Sequence, residues 1–204
     1  MTFSLRFVLL PLLIALAGCG KKVEELPSTD SLEGGLWRTG CESSSSAYQK
    51  AVLNVENGSY SIKTTVYSDG ACSQTLYEQN QSGAYTLSSY DSSTGRGNID
   101  LTLGSITLVP SSVSVANSLN SSSFCGLTNW ASGLAQTVAG RNCGGVLVPS
   151  VGQVTYDIYQ ISRFGIPMLD VEIGDLNFGY NDATYDGSTP AKRPVATTTP
   201  TFRR

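Results

Sequence analysis

A few carboxylates near the carboxyl end are the residues of this chain that could do acid–base chemistry. Asp157, Asp170, Glu172 and Asp175 lie on segments with strand-like alternation, and glycoside hydrolysis needs only two carboxylates. Asp170 and Glu172 alternate with apolar residues, however, which is typical of the solvated side of a strand. Residues 181–188 also lack the spacing of a calcium loop.

Histidine is absent from all 204 residues. Its absence excludes Ser-His-Asp and Cys-His arrangements and removes the commonest general base. We therefore expect no enzymatic activity, no catalytic residue and no cofactor.

Five cysteines are the other chemically distinctive residues, and an odd number cannot all pair. Cys19 follows an apolar run, and the remaining four allow three connectivities. We favour Cys41–Cys72 and Cys125–Cys143 because each pair lies within one local unit. A metal site is the alternative, but thiols of an exported chain without Cys-x-x-Cys or histidine favour disulfides.

The N-terminal residues have the composition of a signal peptide. Arg6 precedes an apolar run, Phe7–Gly18, that is shorter than the roughly 20 residues of a membrane-spanning helix. Its end, Leu16-Ala17-Gly18-Cys19, resembles the lipobox of bacterial lipoproteins. That resemblance implies removal of residues 1–18 and lipidation of Cys19, and Gly20 in place of Asp implies the outer membrane. An ordinary secretory peptide or a short buried helix with a chance cysteine is the alternative.

The predicted domain organisation is a signal peptide over residues 1–18, a lipidated flexible tether over 19–33 and one folded domain over 34–204. A tether of this length reaches about 20 Å, so the domain would stay close to a membrane bound through the lipid. The formal net charge is −3 and no Lys/Arg run exceeds two residues, so a nucleic-acid partner is not expected.

Strand-like alternation dominates the rest of the chain. Ser, Thr, Gly and Asn separate short segments in which apolar residues recur at every second position, as in a sheet that covers one core. About eight such segments predict a sandwich or a barrel. Apolar residues change parity across Gly104-Ser105, which indicates a two-residue hairpin or a bulge. The segments are 35–41, 60–67, 74–79, 83–90, 98–103, 106–108, 154–161 and 168–179.

Two regions depart from this alternation. Residues 111–145 begin with about two turns of predicted helix, capped by Ser111 or Ser112, and continue as an irregular small-residue excursion. The final residues, 181–204, predict an ordered wrap and a short strand near Thr201-Phe202.

The opening Gly35-Leu36-Trp37 resembles the Gly-x-Trp that begins the first strand of lipocalins. Further motifs typical of lipocalin-like bacterial lipoproteins follow in order over residues 34–202: Cys41, Tyr67-Ser68-Asp69 with Cys72, Gly83-Ala84-Tyr85, Asp186 to Thr189, and Arg193-Pro194. The chain departs from the family in its large excursion and in lacking the second lipocalin motif, Thr-Asp-Tyr.

This resemblance implies an all-β, antiparallel eight-stranded lipocalin-like barrel with a helical or irregular excursion over about 111–145. Trp37 would plug one end, where Gly35 permits a close backbone approach. Trp130, in the excursion, should be enclosed by fewer strands. We expect the apolar interior to bind a small hydrophobic or amphipathic ligand. The alternative is a filled barrel that serves as a non-catalytic structural or protein-interaction module of the envelope.

Overall fold

The computed structural model describes residues 32–44, 47–166 and 171–204. The predicted signal peptide, Cys19 and residues 20–31 of the predicted tether lie outside the described residues. Within these described residues, one helix and twelve strands are accompanied by two 3-10 turns, Phe124–Gly126 and Pro190–Lys192. In chain order the helix and strands are β1 (Leu36–Arg38), β2 (Glu42–Ser44), β3 (Ala47–Glu56), β4 (Ser59–Tyr67), β5 (Thr75–Asp91), β6 (Arg96–Pro110), α1 (Val113–Ser121), β7 (Gln136–Thr137), β8 (Asn142–Cys143), β9 (Val146–Leu147), β10 (Val154–Ile166), β11 (Val171–Gly179) and β12 (Thr197–Arg203).

Eight strands form a closed antiparallel barrel. They follow one another around the ring in chain order as β1, β3, β4, β5, β6, β10, β11 and β12, and β1 closes the ring by pairing with both β3 and β12. β2 extends the sheet beside β3, β7 extends it beside β6, and β8 and β9 form a separate hairpin. The prediction of an all-β, eight-stranded antiparallel barrel is confirmed, and its up-and-down order is consistent with a lipocalin-like fold.

The inward-facing side chains pack into one core. Paired residues of an antiparallel sheet share a face, so Leu53 on β3 points inward together with Trp37 on β1 and Ile62 on β4. Burying an apolar side chain of this size stabilises the fold by about 1.5–3 kcal/mol. This first cluster consists of Leu32, Trp37, Ala51, Leu53, Val55, Tyr60, Tyr85, Ile99, Tyr159, Ile161, Leu176 and Phe202.

A bulge divides the long strands β5 and β6 into two halves. Ser82 pairs with Ser105 and Gly83 with Leu103, which leaves Gly104 as the extra residue. The bulge changes the parity of the inward positions, so Leu103 and Ile106 both lie on the inner side. Of the two possibilities open from the sequence, the structure therefore has the bulge.

The excursion occupies residues 111–153, between β6 and β10. Its helix, α1, begins after Ser112, whose hydroxyl accepts a hydrogen bond from the Val115 N–H at 3.2 Å. This confirms the predicted short helix and identifies Ser112 as its N-cap. We call the end of the barrel at which α1 lies the helix end.

The excursion packs onto the inner face of the last part of β6 through a second apolar cluster. Trp130 is only 4% exposed in this cluster, and its Nε1 donates to the Phe124 carbonyl oxygen at 3.2 Å. Trp130 is therefore enclosed almost as fully as Trp37, although by the excursion and β6 instead of the barrel. The buried members are Leu103, Ile106, Leu108, Ala116, Cys125, Trp130 and Val138.

The opposite end of the barrel is closed by the first described residues. Trp37 is fully buried, and its Nε1 donates to the carbonyl oxygen of Leu32, also fully buried, at 2.9 Å. The Arg204 guanidinium lies over the indole at 4.6 Å from the ring centroid. A Cβ on Gly174 would come within 3.3 Å of the same ring, so glycine leaves room for the indole. We call this the tryptophan end.

The tail after β11 is held on the outside of β6 and β10. The Tyr156 N–H donates to the Gly187 carbonyl oxygen at 2.9 Å. Arg193 reaches the Asp100 carboxylate at 2.6 Å and the Ile99 carbonyl oxygen at 3.1 Å. The motif around Asp186 and Arg193 therefore has a structural role in this protein, because it fastens the tail to the barrel.

Two disulfides join the cysteines in the favoured pairing, Cys41–Cys72 and Cys125–Cys143. The first ties the segment between β1 and β2 to the loop that connects β4 and β5. The second lies inside the excursion and belongs to the second cluster. Among the described residues, no helix has the length and apolar character needed to cross a membrane.

Candidate functional site

A cleft at the helix end of the barrel has mainly apolar walls. It has a volume of about 320 Å³, near the lower end of the roughly 300–1,000 Å³ of small-molecule sites. We call it the rim cleft. It is lined by Leu76, Tyr77, Ser114, Val115, Ser118 and Leu119.

Helix α1 supplies one wall of the rim cleft. Ser114, Val115, Ser118 and Leu119 recur at the three- and four-residue spacing that places side chains on one face of a helix. Val115 and Leu119 are half-buried, whereas the two serines are exposed and place hydroxyl groups at the mouth. This wall is apolar inside and polar at its opening.

The start of β5 supplies the opposite wall. Tyr77 pairs with Val66 and Thr75 pairs with Tyr67, so Leu76 is an extra residue in β5. Such a bulge turns two successive side chains toward the same side. Leu76 and Tyr77 consequently both face α1.

Tyr77 is the titratable group of the rim cleft. Burial raises the pKa of its phenol above the ordinary value, because a phenolate would lose solvation there. The hydroxyl therefore stays neutral at physiological pH and can donate a hydrogen bond.

Four side chains with oxygen acceptors lie on the inner face beside the rim cleft. Glu42 pairs with Gln49, and Thr64 pairs with Gln79, which lies two residues from Tyr77 on the same face of β5. We call Glu42, Gln49, Thr64 and Gln79 the acceptor band. All four are half-buried, and no hydrogen bond or ion pair joins their side chains to another residue in the described part of the chain.

The three other clefts described have less apolar walls than the rim cleft. One, of about 400 Å³, lies between the tail and the first residues of β6. Another, of about 200 Å³, crosses β4, β5 and β6, and a third, of about 370 Å³, surrounds the turn between β3 and β4. Large side chains occupy the centre of the barrel, and the apolar cleft described above lies at the rim instead of in the interior.

The carboxylates considered from the sequence do not meet as an acid–base pair among the described side chains. Asp157 points inward, is 9% exposed, and accepts hydrogen bonds from the Ile158 and Gly179 N–H groups at 2.7 and 3.0 Å. Asp175 instead forms an ion pair with Arg203 at 3.1 Å. Asp170 and the side chain of Glu172 lie outside the described residues.

Burial raises the pKa of Asp157, although its two N–H donors and the Arg193 charge act in the opposite direction. The pairing of β10 with β11 begins only at Tyr159. Before that residue the two strands separate, and the Asp157 carboxyl replaces the missing backbone pairing. Asp157 thus holds two strands together, a role that alternation alone did not indicate.

The remaining predicted site residues are distributed between the two ends. Trp37 and Gly35 lie at the tryptophan end, where a Cβ on Gly35 would come within 3.3 Å of the Arg204 side chain. The four paired cysteines lie outside the rim cleft, and Cys19 lies outside the described residues. Within the part of the chain described, no group of three or more acidic, cysteine or histidine residues is placed to hold a metal ion.

No family model and no curated protein matches this chain.

Proposed function

We propose that this protein is a lipid-anchored binding protein that holds a small hydrophobic or amphipathic ligand in the rim cleft. The observation that carries the proposal is the cleft itself, with its apolar walls, hydroxyl groups at its mouth and sufficient volume. An eight-stranded barrel can hold a ligand or be filled by side chains. Here the side chains fill the centre, and the excursion creates the cleft at the rim.

Binding can be tested with Nile red, an uncharged dye whose fluorescence rises in apolar surroundings. The full chain carrying Cys19→Ala would be used, so that no acyl group competes for the cleft. We expect saturable fluorescence enhancement and its loss in Ser118→Trp, because a large ring on α1 would fill the cleft. Asn117→Trp is the matched control, since Asn117 is exposed on the same helix and does not line the cleft.

Native mass spectrometry of the same protein would show whether small molecules co-purify with it. Equal dye binding by both tryptophan variants would contradict the assignment of the cleft. Absence of both dye binding and co-purifying molecules would contradict a ligand-binding function.

The membrane anchor rests on the lipobox resemblance and on Cys19. Leu32 is buried at the tryptophan end and accepts the Trp37 hydrogen bond, so a tether from Cys19 would reach the barrel there. The helix end and the rim cleft would then face away from the anchoring membrane, which is the outer membrane by the same resemblance. Cys19→Ala should abolish lipid labelling and either release the protein from membranes or leave it uncleaved. Survival of both membrane association and lipid labelling after this change would refute the anchor.

A protein-interaction module with a filled barrel is the second candidate function, and the exposed apolar residues of the excursion favour it. Five large apolar side chains of the excursion are 61 to 72% exposed, and Arg141 is its only charged residue. Several large apolar residues exposed on an excursion with a single charge are typical of contact sites for other proteins. A wild-type chain that binds neither dye nor small molecule would favour this function. The five residues are Val113, Leu134, Val146, Leu147 and Val151.

A further inference from the structure

We propose that the rim cleft and the acceptor band form one elongated site for an amphipathic amine, with the apolar tail under α1 and the ammonium group at the band. This inference rests on the proposed ligand-binding function and adds the chemical class of the ligand.

The two parts are joined by the strand register. Tyr77 lines the cleft and pairs with Val66, which pairs with Gln49, which in turn pairs with Glu42. Thr64 and Gln79 form the next pair toward the centre of the barrel. Directly paired side chains lie about 4.5–5.5 Å apart and diagonal ones about 7–8 Å. An extended chain of about ten carbons can therefore span from α1 to the band.

The band is suited to a head group that donates hydrogen bonds. Its members present a carboxylate, two amide carbonyls and a hydroxyl, all of which can accept from an ammonium group. Gln81, the next inward residue of β5, differs because its amide already donates to the Tyr60 hydroxyl at 3.0 Å. In the described part of the chain, the acceptors of the band are left to solvent or to a ligand.

Charge gives the site its preference. Two rows of paired inner side chains contain the acceptor band: Glu42, Gln49, Val66 and Tyr77 form one, and Ala51, Thr64 and Gln79 form the other. Glu42 is the only charged residue of these two rows, and no described cation contacts it. Lys50 and Lys63, the nearby cations of β3 and β4, pair with Thr65 and Asn80 and so point to the outer face. A carboxylate ligand would lose hydration at the band without gaining a cationic partner. An ammonium group would gain the field of Glu42.

The test is a displacement series with four ten-carbon probes that differ only in the head group: decylammonium, decanol, decanamide and decanoate. Each would displace Nile red from the full Cys19→Ala chain at low salt and neutral pH. We expect decylammonium to bind about fivefold more tightly than decanol, and decanoate to bind most weakly. This preference should shrink in high salt, because a half-exposed carboxylate is screened.

Glu42→Gln should remove the preference for decylammonium and leave the affinity for decanol within about twofold. Glu56→Gln is the matched control, because it removes the same charge from the exposed far end of β3 and should leave the order of the probes unchanged. Gln79→Leu should weaken decylammonium, decanol and decanamide about five- to tenfold, the effect of one lost hydrogen bond to a head group.

The outcomes separate this inference from the proposed function. A preference for decylammonium that survives Glu42→Gln, or decanoate binding as tightly as decylammonium, would overturn the amine assignment while the cleft remained a ligand site. If none of the four probes displaced the dye from a folded protein, the rim cleft would not be a binding site for amphiphiles. The inference and the proposed function would then both fail.

Discussion

At the scale of single residues, the two tryptophans show how similar burial can have different consequences. Trp37 joins the first described residues, β3 and β11 inside the ring, and its indole N–H is satisfied by Leu32. Trp130 is almost as fully enclosed, but by β6 and the excursion, which can open locally while the ring of strands stays intact.

Replacing Trp37 by alanine should therefore destabilise the whole protein by about 3–5 kcal/mol, because it leaves a large cavity in the core of the barrel. Trp130→Ala should cost clearly less in a measurement of global unfolding. Chemical denaturation followed by far-ultraviolet circular dichroism, with both disulfides intact, measures the two values. The opposite ranking would mean that Trp37 does not hold the barrel together.

At the scale of elements, alternation identified most of the barrel because the two-residue period of a strand is local. The sequence could not show that segments 74–79 and 83–90 form one strand, β5, since Gly83 interrupts the side-chain pattern. A Cβ at Gly83 would clash with the Thr102 carbonyl oxygen. Position 83 therefore requires glycine because of the neighbouring strand β6, and the alternation of residues within β5 does not reveal that neighbour.

β3 is the strand that the segments identified in the sequence omit. A signal for it was present, because Ala51, Leu53 and Val55 alternate before Asn57-Gly58. Both turn residues have positive φ, 50° and 74°, as a tight hairpin between β3 and β4 requires. An Asn-Gly pair after an alternating run should thus have predicted this hairpin.

The rim cleft was beyond prediction from local patterns. Its walls come from α1 and β5, and Leu76 faces α1 only because of a bulge relative to β4. The acceptor band likewise depends on which residues pair. Glu42 and Gln79 are far apart in the chain. They share one inner face only because β2 pairs with β3, β3 with β4 and β4 with β5.

At the scale of the whole molecule, buried and turn carboxylates give stability two opposite dependences on pH. Hydrogen bonds lower the pKa of three aspartates that lie in turns. Asp69 accepts from Gln74, Asp91 accepts from Ser93, and Asp186 accepts from Ser188, which contributes to lowering the pKa of Asp186 to about 2. These carboxylates fasten the β4–β5 loop, the β5–β6 turn and the tail. Their contribution is present above the unfolded pKa near 3.8 and is lost as pH falls through their lowered pKa values, which for Asp186 is about 2.

Asp157 acts in the other direction. Its pKa is raised by burial, so the folded state binds the proton more tightly than the unfolded chain does. The resulting stability is complete below the unfolded pKa and is lost as pH rises through the raised value. Because the chain has no histidine, no such group masks this effect at mildly acidic pH.

We therefore expect the denaturation midpoint to rise as pH is lowered from 7 toward 4 and to fall again between about 4 and 2. Denaturant titrations at fixed ionic strength over pH 2–8 measure this profile. Asp157→Asn keeps an oxygen that accepts from the Ile158 and Gly179 N–H groups, and it should remove the rise while keeping the fall. Asp186→Asn should shallow the fall and keep the rise, since it removes the turn carboxylate with the most strongly lowered pKa. A wild-type midpoint that only decreased from pH 7 downward, with Asp157→Asn following the same curve, would show that Asp157 does not oppose folding when charged.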